Sequence, residues 1–173
     1  RSYIVENESR RQFEEKRIAL EGCLAAATEF DQIFHLSGEY FKRLDCDGIA
    51  VVVDDRLLEL QEEEVFSISG FDREHMKVVY GEYLEDGVYE PYDSYWKRIE
   101  KNLDKDVCMF TPLHYRNRTI GFTILLNGKF LYDNPYFYDI QSLLNRVLWD
   151  MYQRKCYIKA NRKLDELYKR DAL

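Results

Sequence analysis

The chain has 173 residues, 46% of them hydrophobic, which is enough for one domain with a sizeable core. Its 8 Gly and 3 Pro beside 14 Tyr, 10 Phe and 2 Trp exclude collagen-like and linker-like compositions. A net charge of -7 argues against nucleic acid as the main partner, because phosphate binding rests on a concentrated positive field.

From about Ser9 to Arg43, apolar residues recur at three and four: Phe13, Leu20, Leu24 and Ala27, then Phe30, Ile33, Phe34, Tyr40, Phe41 and Leu44. This spacing predicts two helices within residues 1–45. Ser9 is the expected N-cap of the first, and the break between them falls near Thr28 or near Ser37-Gly38. Asp45-Cys46-Asp47-Gly48 reads as a turn, and Ile49 to Val53 is a β-branched run suited to a buried strand. Further strands are expected over Val65 to Ser69, Met76 to Leu84, Val107 to Tyr115 and Thr119 to Asn127, the last two joined as a hairpin through Arg116-Asn117-Arg118. Tyr92, Tyr95, Trp96, Ile99 and Leu103 share one helical face, so residues 46–135 are expected to form a sheet with an inserted helix.

The final element, residues 136–173, begins near Tyr136 or Asp139 and contains no Gly or Pro. It predicts ~50 Å of helix at 1.5 Å per residue. Ile140, Leu144, Val147, Met151 and Ile158 make an inward stripe, whereas Tyr157, Ala160, Leu164 and Leu167 follow heptad spacing. The change of register near Ile158 suits a helix that packs on its own domain and then pairs with a second chain as a homodimer; a frayed tail is the alternative. The order of elements predicts an α+β domain built on a central antiparallel sheet with flanking helices.

Charge is uneven. Residues 54–106 carry 16 acids against 7 bases, and residues 151–173 carry 7 bases against 3 acids; both read first as solvated faces, the basic end also as a surface for an acidic neighbour. No apolar run approaches the ~18 residues of a membrane span, so no membrane partner is expected. Cys23, Cys46, Cys108 and Cys156 form no CxxC pair and no Cys-His cluster, which suits a reducing cytoplasm. With neither an initiator Met nor a signal-peptide pattern, the chain is expected to be a segment of a longer protein.

The segment Thr111-Pro112-Leu113-His114-Tyr115-Arg116-Asn117-Arg118-Thr119-Ile120-Gly121-Phe122-Thr123-Ile124-Leu125 resembles the penultimate and last strands of GAF domains, in which a Pro-Leu pair precedes a turn and an Ile-Gly step enters an apolar strand. The element order from about Arg10 to Arg154 resembles the same family. The terminal run from Leu164 to Leu173 is similar to the connector that enters a GGDEF diguanylate cyclase domain, of whose Asp-x-Leu, Thr-Gly-Leu and Asn-Arg sequence only Asp171-Ala172-Leu173 is present. The resemblance implies a bacterial sensory domain that controls a diguanylate cyclase in cis, in cyclic di-GMP signalling. No Gly-Gly-Asp-Glu-Phe motif occurs within these residues, so the chain itself is expected not to be catalytic. A ligand-free dimerisation spacer and a GAF-fold, thiol-dependent methionine sulfoxide reductase are the alternatives.

His35, His75 and His114 have no Cys, Asp or Glu at metal-site spacings, and Asp54-Asp55 and Glu62-Glu63-Glu64 read as solvated loops. No metal or cofactor is expected. The Asn-Lys-x-x-x-Phe-x-x-x-Asp-Glu signature of cyclic-nucleotide-binding GAF domains is missing, as are bilin-attachment motifs. What remains is an aromatic cluster that includes Tyr80, Tyr83, Tyr89, Tyr92, Tyr95 and Trp96, followed by Phe110, His114 and Tyr115. In the GAF arrangement it would border a cavity above the sheet and grip a small-molecule ligand, with Tyr80, Tyr89, Tyr92, Trp96, Phe110, His114 and Tyr115 as candidate contacts. Packed core is the other reading of the same rings. The candidate dimer contacts are Tyr157, Ala160, Leu164 and Leu167.

Overall fold

A computed structural model describes residues 2–43, 46–103, 106–128 and 136–172. Leu44, Asp45 and the terminal Leu173, which figured in the expectations above, lie outside them. The order is α1 (Ser2–Ala25), α2 (Phe30–Lys42), β1 (Gly48–Asp54), α3 (Asp55–Leu58), β2 (Met76–Gly81), β3 (Glu90–Pro91), α4 (Tyr92–Glu100), β4 (Cys108–Tyr115), β5 (Arg118–Leu126) and α5 (Tyr136–Asp171), with 3-10 turns at Glu63–Val65 and Arg73–His75. The five strands form one antiparallel sheet in the order β3-β2-β1-β5-β4. The architecture is the expected α+β domain with a central antiparallel sheet and a long C-terminal helix.

Several boundaries differ from the sequence reading. Ser9 is not an N-cap, because α1 already begins at Ser2. The helix break lies at Thr28 and not at Ser37-Gly38: Gln32 Oε1 accepts the backbone N–H groups of Thr28 and Glu29 at 2.8 and 3.2 Å, and so tethers the start of α2. The expected strand over Val65 to Ser69 is a 3-10 turn followed by bends. There Ser67 Oγ accepts from Ser69 N–H and donates to Ser69 C=O, and Arg118 Nη1 donates to Phe66 C=O at 3.0 Å. These local bonds occupy backbone groups that a strand would have offered to a neighbour.

Strand β1 is buried along its whole length, since helices cover both faces of the sheet. Ile49, Val51 and Val53 join Val79, Leu113 and Leu125 beneath α1, α2 and α5. Ala50 and Val52 join Val78, Phe122 and Ile124 beneath α4. At the β1–β5 crossing the backbones come so close that a Cβ on Gly121 would lie 2.1 Å from Val52 C=O, so this position in the Ile-Gly step admits only glycine.

Helices α1 and α5 run in the same direction. Arg17 feels the charge of Asp139, Glu21 Oε1 accepts from Arg146 Nη2 at 3.0 Å, and Ala25 shares a groove with Gln153 and Arg154. The beginning of α1 therefore extends past the start of α5, whereas the end of α5 extends past the opposite end of the sheet. In its packed half, α5 buries Phe137, Ile140, Leu144, Leu148, Trp149, Met151 and Tyr152. From Tyr157 to Ala172 every residue is exposed, and 16 residues at 1.5 Å each span about 24 Å.

Candidate functional site

Helix α4 covers the second face of the sheet. Tyr92, Tyr95 and Ile99, spaced i, i+3 and i+7, lie on the sheet. Tyr92 meets Phe122 edge-on at 5.1 Å, Trp96 meets Phe110 at 5.5 Å, and Phe110 meets Phe122 at 6.0 Å. Three of the expected ligand contacts, Tyr92, Trp96 and Phe110, are thus brought together by interlocking rings. Burial pushes the Tyr92 hydroxyl upward in pKa.

The other four expected contacts lie elsewhere. Simple alternation along β2 would place Tyr80 beside Met76 and Val78, but the register shifts between Val51 and Val52, so that Tyr80 pairs with Val51 and Val78 with Val52. This bulge turns Tyr80 onto the α2 side, where its hydroxyl donates to Glu39 Oε1 at 2.9 Å. Tyr89 packs against Phe34 at 6.1 Å and donates to Asp31. Tyr115 stacks on Trp149 with ring centroids 4.2 Å apart. His114 is exposed near the end of β4, its backbone N–H bonded to Asn145 Oδ1 at 3.2 Å.

A cavity of about 150 Å³ lies at the C-terminal end of α4, on the same face of the sheet. Ala50, Ile99 and Ile124 supply aliphatic wall, and Asp47, Glu82, Tyr83, Tyr95, Asn102 and Asp106 supply the polar groups. Tyr95 is fully buried and its hydroxyl lies over Gly81, where an added Cβ would stand 2.5 Å from the oxygen. Glycine is what leaves room for that hydroxyl, whose pKa burial pushes up to about 12. Asp47 and Asp106 are both held by one amide, Asn127 Nδ2 donating to them at 2.8 and 2.6 Å. Tyr95 and Tyr83 belonged to the aromatic cluster seen in the sequence. The part of Gly81 and Asn127 could not be read there, because it depends on which strand ends meet.

The sequence also missed a polar clasp at the other end of β1. Asp55 Oδ1 meets His75 Nδ1 at 2.9 Å across twenty positions of chain. Buried Asp54 accepts Arg56 N–H, Nε and Nη2 at 3.0, 3.0 and 2.8 Å, and Arg56 also donates to Asp72. Ligand atoms of Asp54, Asp55 and His75 lie within 4.8 Å of one another. Arg56, however, engages both oxygens of Asp54 with a positive charge, so the group reads as a closed ion-pair network and not as a cation site.

The four cysteines sit on separate elements: Cys23 on α1, Cys46 after α2, Cys108 on β4 and Cys156 on α5. Burial, followed by the charge of Asp106, pushes the Cys108 thiol up in pKa, the reverse of what an attacking thiolate needs. Past the sheet, Tyr157, Ala160, Leu164 and Leu167 line one exposed stripe of α5. The opposite side of the same helix carries Lys155, Lys159, Arg162 and Lys163 along a groove of about 720 Å³. Among the described residues no helix is long and apolar enough to cross a membrane. Set against family models, curated proteins and solved structures, the chain matches none.

Proposed function

We propose that the chain is a GAF-like regulatory domain, non-catalytic itself, that governs a C-terminal diguanylate cyclase in cyclic di-GMP signalling and acts as a parallel homodimer joined along α5. The observation that carries this reading is the continuity of α5. One helix forms the floor of the main core through Tyr152 and then leaves the domain with a heptad-spaced apolar stripe exposed. A change of packing on the sheet is thereby connected, without a flexible joint, to the spacing of two exit helices. The Asp171-Ala172 end of that helix supports the cyclase as the controlled module through its resemblance to the GGDEF connector. The interlocked Tyr92, Trp96 and Phe110 rings favour a second reading, a spacer without a ligand.

Sedimentation tests the dimer. Burying a Leu is worth about 1.5–3 kcal/mol, so Leu164→Glu/Leu167→Glu should convert a wild-type dimer into a monomer. A wild-type chain that stays monomeric at the highest attainable concentration removes the α5 pairing from the proposal. In the intact protein, the same double variant should lose cyclic di-GMP formation from GTP; unchanged product formation would detach α5 from control of the cyclase.

A further inference from the structure

We propose that the corner between the projecting half of α5 and the end of the domain binds an organic polyphosphate, a compound with an apolar body joined to a short phosphate chain. The inference deepens the sensory reading by giving the signal a chemistry, and it rests on that reading for its purpose alone. In a chain whose net charge is -7, this corner gathers Arg154, Lys155, Lys159, Arg162 and Lys163 against two carboxylates, Glu29 and Glu166. Glu29 is taken by Lys155 at 2.9 Å, and among the described residues the other four cations are in no ion pair. Lys155, Lys159 and Lys163 follow one another at i, i+4 and i+8, with Arg162 beside them. Like charges one turn apart on a helix repel, and a multivalent anion seated among them turns that repulsion into charge-assisted hydrogen bonds, for which a guanidinium and phosphate oxygens are matched in geometry.

The floor of the corner supplies a second, independent indication. Ile158 is 49% exposed and shares the groove with Leu60 and with buried Met151, so an apolar surface lies beside the cations. Leu60 reaches it from a left-handed turn, φ 58°, which few bulky residues adopt, and its carbonyl accepts from the Cys156 thiol. The Thr28 hydroxyl, on the same groove, is turned to Gln32 Oε1, which leaves the floor without a group to read the edge of a ring. At about 720 Å³ the space falls within the ~300–1,000 Å³ of small-molecule sites. Ile158 and Lys163 stand about 7.5 Å apart along the helix axis, so a ligand whose body covers Ile158 extends its phosphates past Lys159, Arg162 and Lys163. Because one wall is the end of the domain and the other is α5, the occupant braces the two against each other.

Isothermal titration of the wild-type chain with adenosine triphosphate, in the presence of a chelator, tests the assignment. Adenosine, inorganic triphosphate, poly-glutamate, duplex DNA and ionic-strength-matched sodium chloride serve as comparisons. The nucleotide should bind at least about tenfold more tightly than adenosine, which lacks the charge, and than inorganic triphosphate, which lacks the body. Its affinity should fall as salt rises, and guanosine and cytidine triphosphates should bind comparably. Lys159→Gln/Arg162→Gln should weaken the nucleotide by at least about tenfold without moving the ligand-free melting temperature, since both side chains are exposed; if that variant melts early, Lys163→Gln replaces it. Ile158→Asn should bring the nucleotide down to the affinity of inorganic triphosphate while leaving the latter unchanged. A response no larger than that to sodium chloride overturns the site, as does equal binding of inorganic triphosphate, tighter binding of poly-glutamate or DNA, or wild-type affinity in the charge variants. A flat titration leaves the sedimentation result for α5 untouched, and a monomeric chain that binds the nucleotide keeps this site while losing the dimer.

Discussion

Residues 137–152 and 157–172 are two stretches of equal length on one helix, and their surroundings have little in common. The first buries Phe137, Ile140, Leu144, Leu148, Trp149 and Tyr152; the second buries nothing and carries Lys159, Arg162, Lys163, Lys169 and Arg170 into solvent. Isolated helices shorter than ~12–15 residues are marginal because the first turn is costly to form. The free stretch avoids that cost by propagating from a turn that the core already holds, and its Ala, Leu, Glu, Lys and Arg residues are good helix formers. Packing starts the helix, and propensity carries it onward.

Replacing Trp149 should break the packed stretch. Its ring stacks on Tyr115 and meets Phe66 and Tyr152 at 6.2 and 4.8 Å, so Trp149→Ala should cost about 3–5 kcal/mol in denaturant unfolding; a loss under about 1 kcal/mol would mean that this stretch is not core.

Alkali gives a second, smaller means of separating the two. Burial holds the hydroxyls of Tyr40 and Tyr95 at about 12, and pushes that of Tyr152 upward as well, with Cys156 adding to the effect. Exposed tyrosine titrates near ~10, so the unfolded chain releases these protons first. The stability they contribute is whole below about pH 10 and is lost as pH rises from there towards about 12. Exposed tyrosines such as Tyr83, Tyr157 and Tyr168 should ionise first with the fold intact. Only the later part of the tyrosinate absorbance, that of the buried rings, should change together with the far-ultraviolet circular dichroism; ionisation of the buried tyrosines ahead of unfolding would contradict their placement.

The smallest effect belongs to the free stretch. Leu164→Glu/Leu167→Glu, the variant that should abolish the dimer, should leave the unfolding free energy of the monomer within about 0.5 kcal/mol, as surface changes usually do. A loss comparable to that of Trp149→Ala would show that the stretch packs on its own domain.

Much of this contrast was legible in advance. The inward stripe expected from Ile140 to Ile158 holds as far as Met151 and fails at Ile158, which is exposed beyond the edge of the core. With the heptad positions from Tyr157 to Leu167 it still announces a helix that changes surroundings midway, and the five-residue run Ile49 to Val53 announces a buried strand. Elsewhere local pattern misleads. Val65 to Ser69 alternates like a strand, yet Ser67 bonds within its own turn and Arg118 takes the Phe66 carbonyl. Alternation alone would put Tyr80 on one face with Val78, and only the bulge against β1 separates them. The cavity is lined by Ala50 of β1, Glu82 after β2, Asp106 before β4 and Ile124 of β5, which come together only once the sheet is paired, and the bond from Asp55 to His75 crosses twenty residues. Periodicity reports which face of an element is apolar, but it does not report register, where bulges form, or which strand ends converge.

Because α5 leaves the sheet as a helix without Gly or Pro between Tyr157 and Ala172, it fixes an angle as well as a distance. One residue inserted after Ala160 would advance everything beyond it by ~1.5 Å and turn it by about 100°, whereas seven would restore its orientation to within ~20°. The relative phase of the two ends of this helix is therefore written in its residue count: insertions of seven or eleven residues hold it to within about 20°, whereas one or two residues turn one end far round against the other.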